Sequence, residues 1–128
     1  MEEVKISSRR LEIARERLEP GDEVRKSYSG RLDNKGGMLM FSNSKLVFVE
    51  EKGFLSKTYN VLLDLPYEKV RECTVVERHR LRITDSEDKQ HELISDISTS
   101  TVDKALKELM ETAPKTKSEE IEKETTIQ

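Results

Sequence analysis

A chain of 128 residues and 14.8 kDa is long enough to bury one core without disulfides or metals, and short for two domains. Its net charge of −3, from 26 acidic and 23 basic side chains, gives no overall attraction to nucleic acid or to an anionic membrane, though it leaves room for a local basic patch. Cys73 is the only cysteine, which excludes an intrachain disulfide and a multi-thiolate metal site within one protomer.

Charged residues reach 38% of the chain, so part of it is expected outside the packed core, at the ends. The opening MEEVKISSRR lacks the apolar run of a secretory signal, and no apolar stretch approaches the length of a membrane span. The cytoplasm is the expected address, with peripheral membrane attachment as its variant.

In residues 3–19, Ile6, Leu11, Ile13, Ala14 and Leu18 stand among charges without an intervening glycine or proline, which predicts a charged helix with a thin apolar stripe. Pro20-Gly21-Asp22 stops it and turns the chain. From Glu23 to Ile94 short apolar runs alternate with turn chemistry, the pattern of successive antiparallel strands. Strands are expected at Glu23–Leu32, Met38–Phe41, Lys45–Glu50, Phe54–Leu65, Arg71–Glu77, Arg80–Thr84 and Gln90–Ile94. Asp33–Gly37, Ser42–Ser44, Lys52-Gly53, Pro66–Lys69 and Asp85–Lys89 supply the turns between them, Gly36-Gly37 being assigned to the first hairpin turn. That many short strands imply a barrel or a sandwich. Met38–Phe41 is apolar throughout, as a wall strand covered on both faces would be.

After Ser98–Thr101, Val102, Ala105, Leu106, Leu109 and Met110 recur at helical spacing and form one stripe that has to be buried, and the strand region is the surface available to bury it. From Ala113 onward the large aliphatics thin to Ile121 and Ile127, so residues 113–128 are expected to be a disordered tail. The expected division is thus a charged helix over 1–19, one domain over 20–112 and the tail.

Three words along the chain carry a family resemblance. Leu18-Glu19-Pro20-Gly21-Asp22-Glu23, the hairpin Gly37-Met38-Leu39-Met40-Phe41-Ser42-Asn43-Ser44-Lys45-Leu46-Val47-Phe48-Val49, and Leu65-Pro66-Tyr67-Glu68-Lys69-Val70 are similar to segments of GRAM-like and prokaryotic pleckstrin-homology-like domains. The resemblance covers about residues 18–110 and implies a mainly β (α+β) fold: a seven-stranded antiparallel PH-like barrel closed by the C-terminal amphipathic helix, with an additional N-terminal helix. Two departures limit it. The chain has no tryptophan, unlike the closing helix of eukaryotic PH domains, and the first hairpin lacks the K-x-R word of phosphoinositide binders. Such words speak for a fold rather than for a ligand.

Two basic clusters are the candidate binding residues. Arg25, Lys26, Arg31 and Lys35 would meet an anionic headgroup if the first hairpin brought them together; the plainer reading is that they are solvated strand cations facing Asp22, Glu23 and Asp33. Arg78, Arg80 and Arg82, with His79 among them, are the densest basic run, and cross-strand pairing with Glu77 and Glu92 accounts for them without a ligand. His79 and His91 have no metal-ligand spacing, Cys73 reads as a small apolar side chain, and no nucleophile stands in a catalytic pattern. No metal or cofactor is expected, and the chain does not read as an enzyme. The leading expectation is a noncatalytic module that recognises a protein segment through a sheet edge, the first-hairpin loop or the closing helix. The alternative is a peripheral membrane module that binds anionic lipid headgroups through Arg25, Lys26, Arg31 and Lys35. A homodimer through the N-terminal helix or an open edge is compatible with either, and nucleic acid is not an expected partner.

Overall fold

The computed structural model describes residues 2–113, so the expected tail lies, apart from Ala113, outside the described residues. Helix α1 (Glu2–Arg15) leads into strands β1 (Val24–Leu32), β2 (Lys35–Ser42), β3 (Lys45–Lys52) and β4 (Thr58–Pro66). A single 3-10 turn (Tyr67–Lys69) then joins β4 to β5 (Val70–Glu77), β6 (Arg80–Asp85), β7 (Gln90–Ser95) and helix α2 (Thr99–Thr112). All strand pairs are antiparallel, in one seven-stranded sheet ordered β4-β3-β2-β1-β7-β6-β5. The mainly β class read from the sequence, seven antiparallel strands with a helix at each end, is therefore the one observed, with β4 and β5 as the outer strands of the pairing order.

The two halves of the sheet share one core. Leu39 and Phe41 of β2, Leu46 and Phe48 of β3, Leu63 and Leu65 of β4, Leu81 and Ile83 of β6, Leu93 of β7 and the α2 stripe Val102, Ala105 and Leu106 form a single buried apolar cluster. Burying these side chains supplies the main driving force for folding, at roughly 25 cal/mol per Å² of apolar surface. Tyr28 of β1 meets Phe41 edge to face with ring centroids 5.7 Å apart.

The thin stripe of α1 has its own partner. Met40, Val47 and Val49, on the opposite face of β2 and β3, pack on Ala14, with Leu11, Ile13, Val24, Tyr59 and Val61 around them. Successive residues of β2 and β3 thus serve two cores in alternation, which is why both strands are apolar without a polar phase. Ala14 is fully buried, its small side chain letting the helix approach the sheet closely. Ion pairs fix the helix direction: Arg10 meets Glu51 at 3.4 Å and Arg17 meets Asp64 at 3.4 Å, so α1 runs antiparallel to β3. The ammonium of Lys45 donates to the Arg17 carbonyl at 2.7 Å, where the negative end of the helix favours a cation.

Two boundaries differ from expectation, and β4 carries an internal bulge. The first hairpin turns on Asp33 and Asn34, both at positive φ (50° and 73°), and Gly36 and Gly37 lie inside β2. Asp and Asn satisfy the two-residue turn, which frees the glycines for another task. β4 begins at Thr58 instead of Phe54, because Gly53 at φ 107° leads the chain into a loop. A β-bulge at Leu62 then changes the face of β4, so Tyr59 and Val61 turn to α1 while Leu63 and Leu65 turn to the inner core.

Asp22 ties the start of the sheet to the β2–β3 turn. Its carboxylate accepts hydrogen bonds from the Ser42 hydroxyl (2.9 Å), the Ser44 hydroxyl (2.5 Å) and the backbone N–H groups of Asn43 (2.8 Å) and Glu23 (2.8 Å). The Tyr67 hydroxyl donates to the Ser42 carbonyl at 2.6 Å, and the Tyr67 N–H donates to the Ser44 carbonyl at 3.0 Å. Burial by itself would raise the Asp22 pKa, but these donors outweigh it and hold the carboxyl below its ordinary value of 3.8. The ionised form is thus favoured in the native state, and the stability it contributes is present above that ordinary value and lost as pH falls through the lower native one. Asp22→Ala is expected to cost about 2 kcal/mol at neutral pH, and Asp22→Asn to flatten the acid side of a melting-temperature-against-pH curve.

Candidate functional site

The register of β1 separates the first-hairpin cations. Lys26 stands opposite Phe41, on the core-facing phase of the strand, whereas Arg31 stands opposite Gly36 on the outer face. Five residues of strand put them about 16 Å apart. Arg25 is engaged by Glu23 at 3.3 Å, and Lys35 lies at the far end of the hairpin, opposite Leu32. The four side chains do not form a common pocket.

Instead, Arg31 comes together with the second basic cluster. Ile94 of β7 pairs with Arg31 on one side and Arg80 on the other, so three strands place both cations in one row. Arg82 pairs with Glu92 in the next outward row and donates to its carboxylate at 2.5 Å, while Arg80 approaches the other oxygen at 3.9 Å. Asp33, Asn34, Arg80, Glu92 and Ile94 line a shallow cleft of about 450 Å³ on this face. Glu92 offsets much of the positive charge, so the row is a paired surface network of modest strength. Arg78 lies apart in the β5–β6 turn, where its carbonyl accepts from the Thr99 N–H at 2.6 Å and the Thr99 hydroxyl at 2.9 Å and thereby seats the start of α2. His79 in the same turn makes a 3.0 Å hydrogen bond through Nδ1 with the Ser95 carbonyl.

The remaining titratable groups have structural partners. Buried His91 bonds through Nε2 to Asp85 at 3.1 Å, and this bond holds the Asp85 carboxyl below its ordinary value. Burial, joined by the Asp103 carboxylate, pushes the Cys73 thiol far up, so it is a poor nucleophile. Among the described residues no cluster of His, Cys, Asp or Glu is arranged to hold a metal ion, and no helix is long and apolar enough to cross a membrane.

Two features fall outside the basic clusters. The first is the free side of β5, which pairs with β6 and with no other strand among the described residues. Val75 pairs with buried Leu81 and so follows the core-facing phase, yet it is 41% exposed, and its neighbour Val76 is 39% exposed. Helix α2 packs alongside β5, presenting Asp103 and Lys107 beside Cys73. A signal was present in the sequence: two adjacent valines cannot both face one core from a strand.

The second is the β3–β4 loop. Phe54 and Leu55 are 89% and 93% exposed, between Lys52 and Lys57. The loop is held at its base, where Lys57 pairs with Glu51 at 2.9 Å and the Thr58 hydroxyl donates to the Lys52 carbonyl at 3.3 Å. Its bend needs a glycine, since a Cβ on Gly53 would lie 2.1 Å from the Ser56 carbonyl oxygen.

No protein-family model and no curated protein matches the chain. Among solved structures it is similar to the C-terminal domain of an unknown protein from Leishmania infantum, with a TM-score of 0.59 and 10% sequence identity over 84% of this chain and 98% of that one. At that identity the likeness shows a shared fold.

Proposed function

We propose that the chain is a noncatalytic interaction module that receives an extended protein segment along the free side of β5, next to α2. Strand addition supplies backbone hydrogen bonds to any sequence, and specificity then comes from seats for alternate side chains. The observation that carries this reading is Val75: an apolar side chain on the core-facing phase of an outer strand, 41% exposed. An incoming strand would cover it and pair the N–H and C=O groups that β5 directs away from β6. The bulges between Val70 and Glu72 and between Val75 and Glu77 confine regular pairing to the centre of β5, which suits a short segment and disfavours extended aggregation. The basic row is less suited to carry recognition, because Glu92 already engages Arg82 and approaches Arg80.

The test is selection of binders from a random-peptide library, followed by NMR mapping on the labelled protein. Shift changes are expected at Glu72–Glu77 and at Asp103–Lys107. Val75→Glu should weaken binding by about tenfold or more while leaving the fold intact, since it places a charge where an apolar contact forms. Changes confined to the Arg31–Arg80 row would refute the assignment.

A further inference from the structure

Strand directions place the β1–β2 turn and the β3–β4 loop at one end of β1, β2 and β3, opposite the β2–β3 turn. At the first of these Asp33 accompanies Lys35, whereas the β6–β7 turn, where Glu87 and Asp88 offset Lys89, sits against the β4–β5 connection, with the Ser86 N–H donating to the Lys69 carbonyl at 2.9 Å. The β3–β4 loop has a different composition. From Lys52 to Lys57 its only charges are the two lysines, and between them Phe54 and Leu55 project with about nine-tenths of their surface in water. The preceding acids are engaged, Glu51 by Lys57 and Arg10, and Glu50 by the Asn60 amide at 3.2 Å.

From this arrangement we infer that the β3–β4 loop is a membrane anchor: Phe54 and Leu55 insert into the interface of an anionic bilayer, and Lys52 and Lys57 remain at the level of the lipid phosphates. A protruding apolar tip fits a fluid interface, which closes around it. The Lys52 ammonium complements anionic lipid, Lys57 keeps its partner Glu51, and the alkyl stems of both let the charges stay in water while the tip is immersed. Gly53 and the Lys57–Glu51 pair set the loop before contact, so little ordering entropy is lost on insertion. The anchor is a different element from β5, so the inference stands independently of strand addition. It also places lipid contact on a different element from the first-hairpin cations Arg25, Lys26, Arg31 and Lys35. Two apolar side chains make a weak, reversible anchor.

The experiment is co-sedimentation of the full chain at low salt with phosphatidylserine-containing vesicles and with pure phosphatidylcholine vesicles. Binding to the anionic vesicles is expected, with weaker binding to the neutral ones. Replacing Phe54 and Leu55 together by serine should reduce partitioning by about tenfold, and Lys52→Gln by less, because the apolar contact carries most of the affinity. The double variant should melt like the parent, since neither side chain belongs to a core cluster. A dye on Ser56→Cys should shift to shorter wavelength on the vesicles, and Val75→Glu should bind vesicles unchanged. A chain that stays in the supernatant at low salt overturns the inference, as it would if the tip served a protein pocket instead. Undiminished binding of the double variant, or a dye that stays in a watery environment on sedimented vesicles, overturns it equally.

Discussion

Leu106→Asp is expected to abolish folding at room temperature. Leu106 is fully buried in the cluster that joins α2 to both halves of the sheet, and its stripe neighbours Val102 and Ala105 are buried with it. An aspartate there loses the apolar contacts and leaves a carboxyl group without a hydrogen-bond partner in a dry site. The combined cost is about 5 kcal/mol or more, comparable to the whole stability of a small domain. Leu106→Ala removes only the contacts and should cost about 3 kcal/mol, leaving a folded but less stable protein. Thermal melting and the dispersion of the proton NMR spectrum distinguish these results. Native melting of the aspartate variant would mean that α2 does not cover the core.

Gly37→Ala should cost about 3 kcal/mol although it adds a single methyl group. An ideal Cβ at Gly37 would lie 2.1 Å from the Val49 carbonyl oxygen, 2.9 Å from the Glu50 Cα and 2.9 Å from the Phe48 ring. Gly37 pairs with Gly30, where a Cβ would lie 2.3 Å from the Ile94 carbonyl oxygen. The two glycines therefore form a side-chain-free row where backbone from β3 and β7 closes in on β2 and β1. Relief would require a strand to move, and both cores are attached to those strands. Gly36 is the internal control: a Cβ there meets nothing within 4 Å, so Gly36→Ala should change the denaturation midpoint little. Equal effects from both substitutions would show that the strands do not approach so closely.

These close approaches also mark where sequence patterns become ambiguous. Asp33-Asn34-Lys35-Gly36-Gly37 contains four residues of types that favour turns, and local chemistry alone assigns all of it to the hairpin. Only the neighbouring strands show that Asp33 and Asn34 make the turn while Gly37 admits a backbone. Likewise, Phe54 and Leu55 read on paper as the start of β4, but the conformation at Gly53 and the pairing of Lys52 with Thr58 leave them in water. The most exposed large apolar residues were thus hidden among residues that resemble core.

The candidate site shows the same division. The basic clusters were visible as residue types, but strand register decided which cations could meet: Arg31 left the first-hairpin group and joined Arg80 across Ile94. A strand's side-chain phase repeats every two residues, so Lys26 and Arg31 occupy different faces however similar they look in a list.

By itself the sequence determined the element order, the antiparallel β class and the stripe of α2. Periodicity and turn chemistry are local properties, written within a few residues. The attachment of both Asp22 and Tyr67 to the β2–β3 turn, the double covering of β2 and β3, the face switch at Leu62 and the exposure of Val75 and of the Phe54-Leu55 tip were decided by the tertiary structure. Each depends on which surface lies opposite a residue, and that surface comes from chain segments tens of residues away.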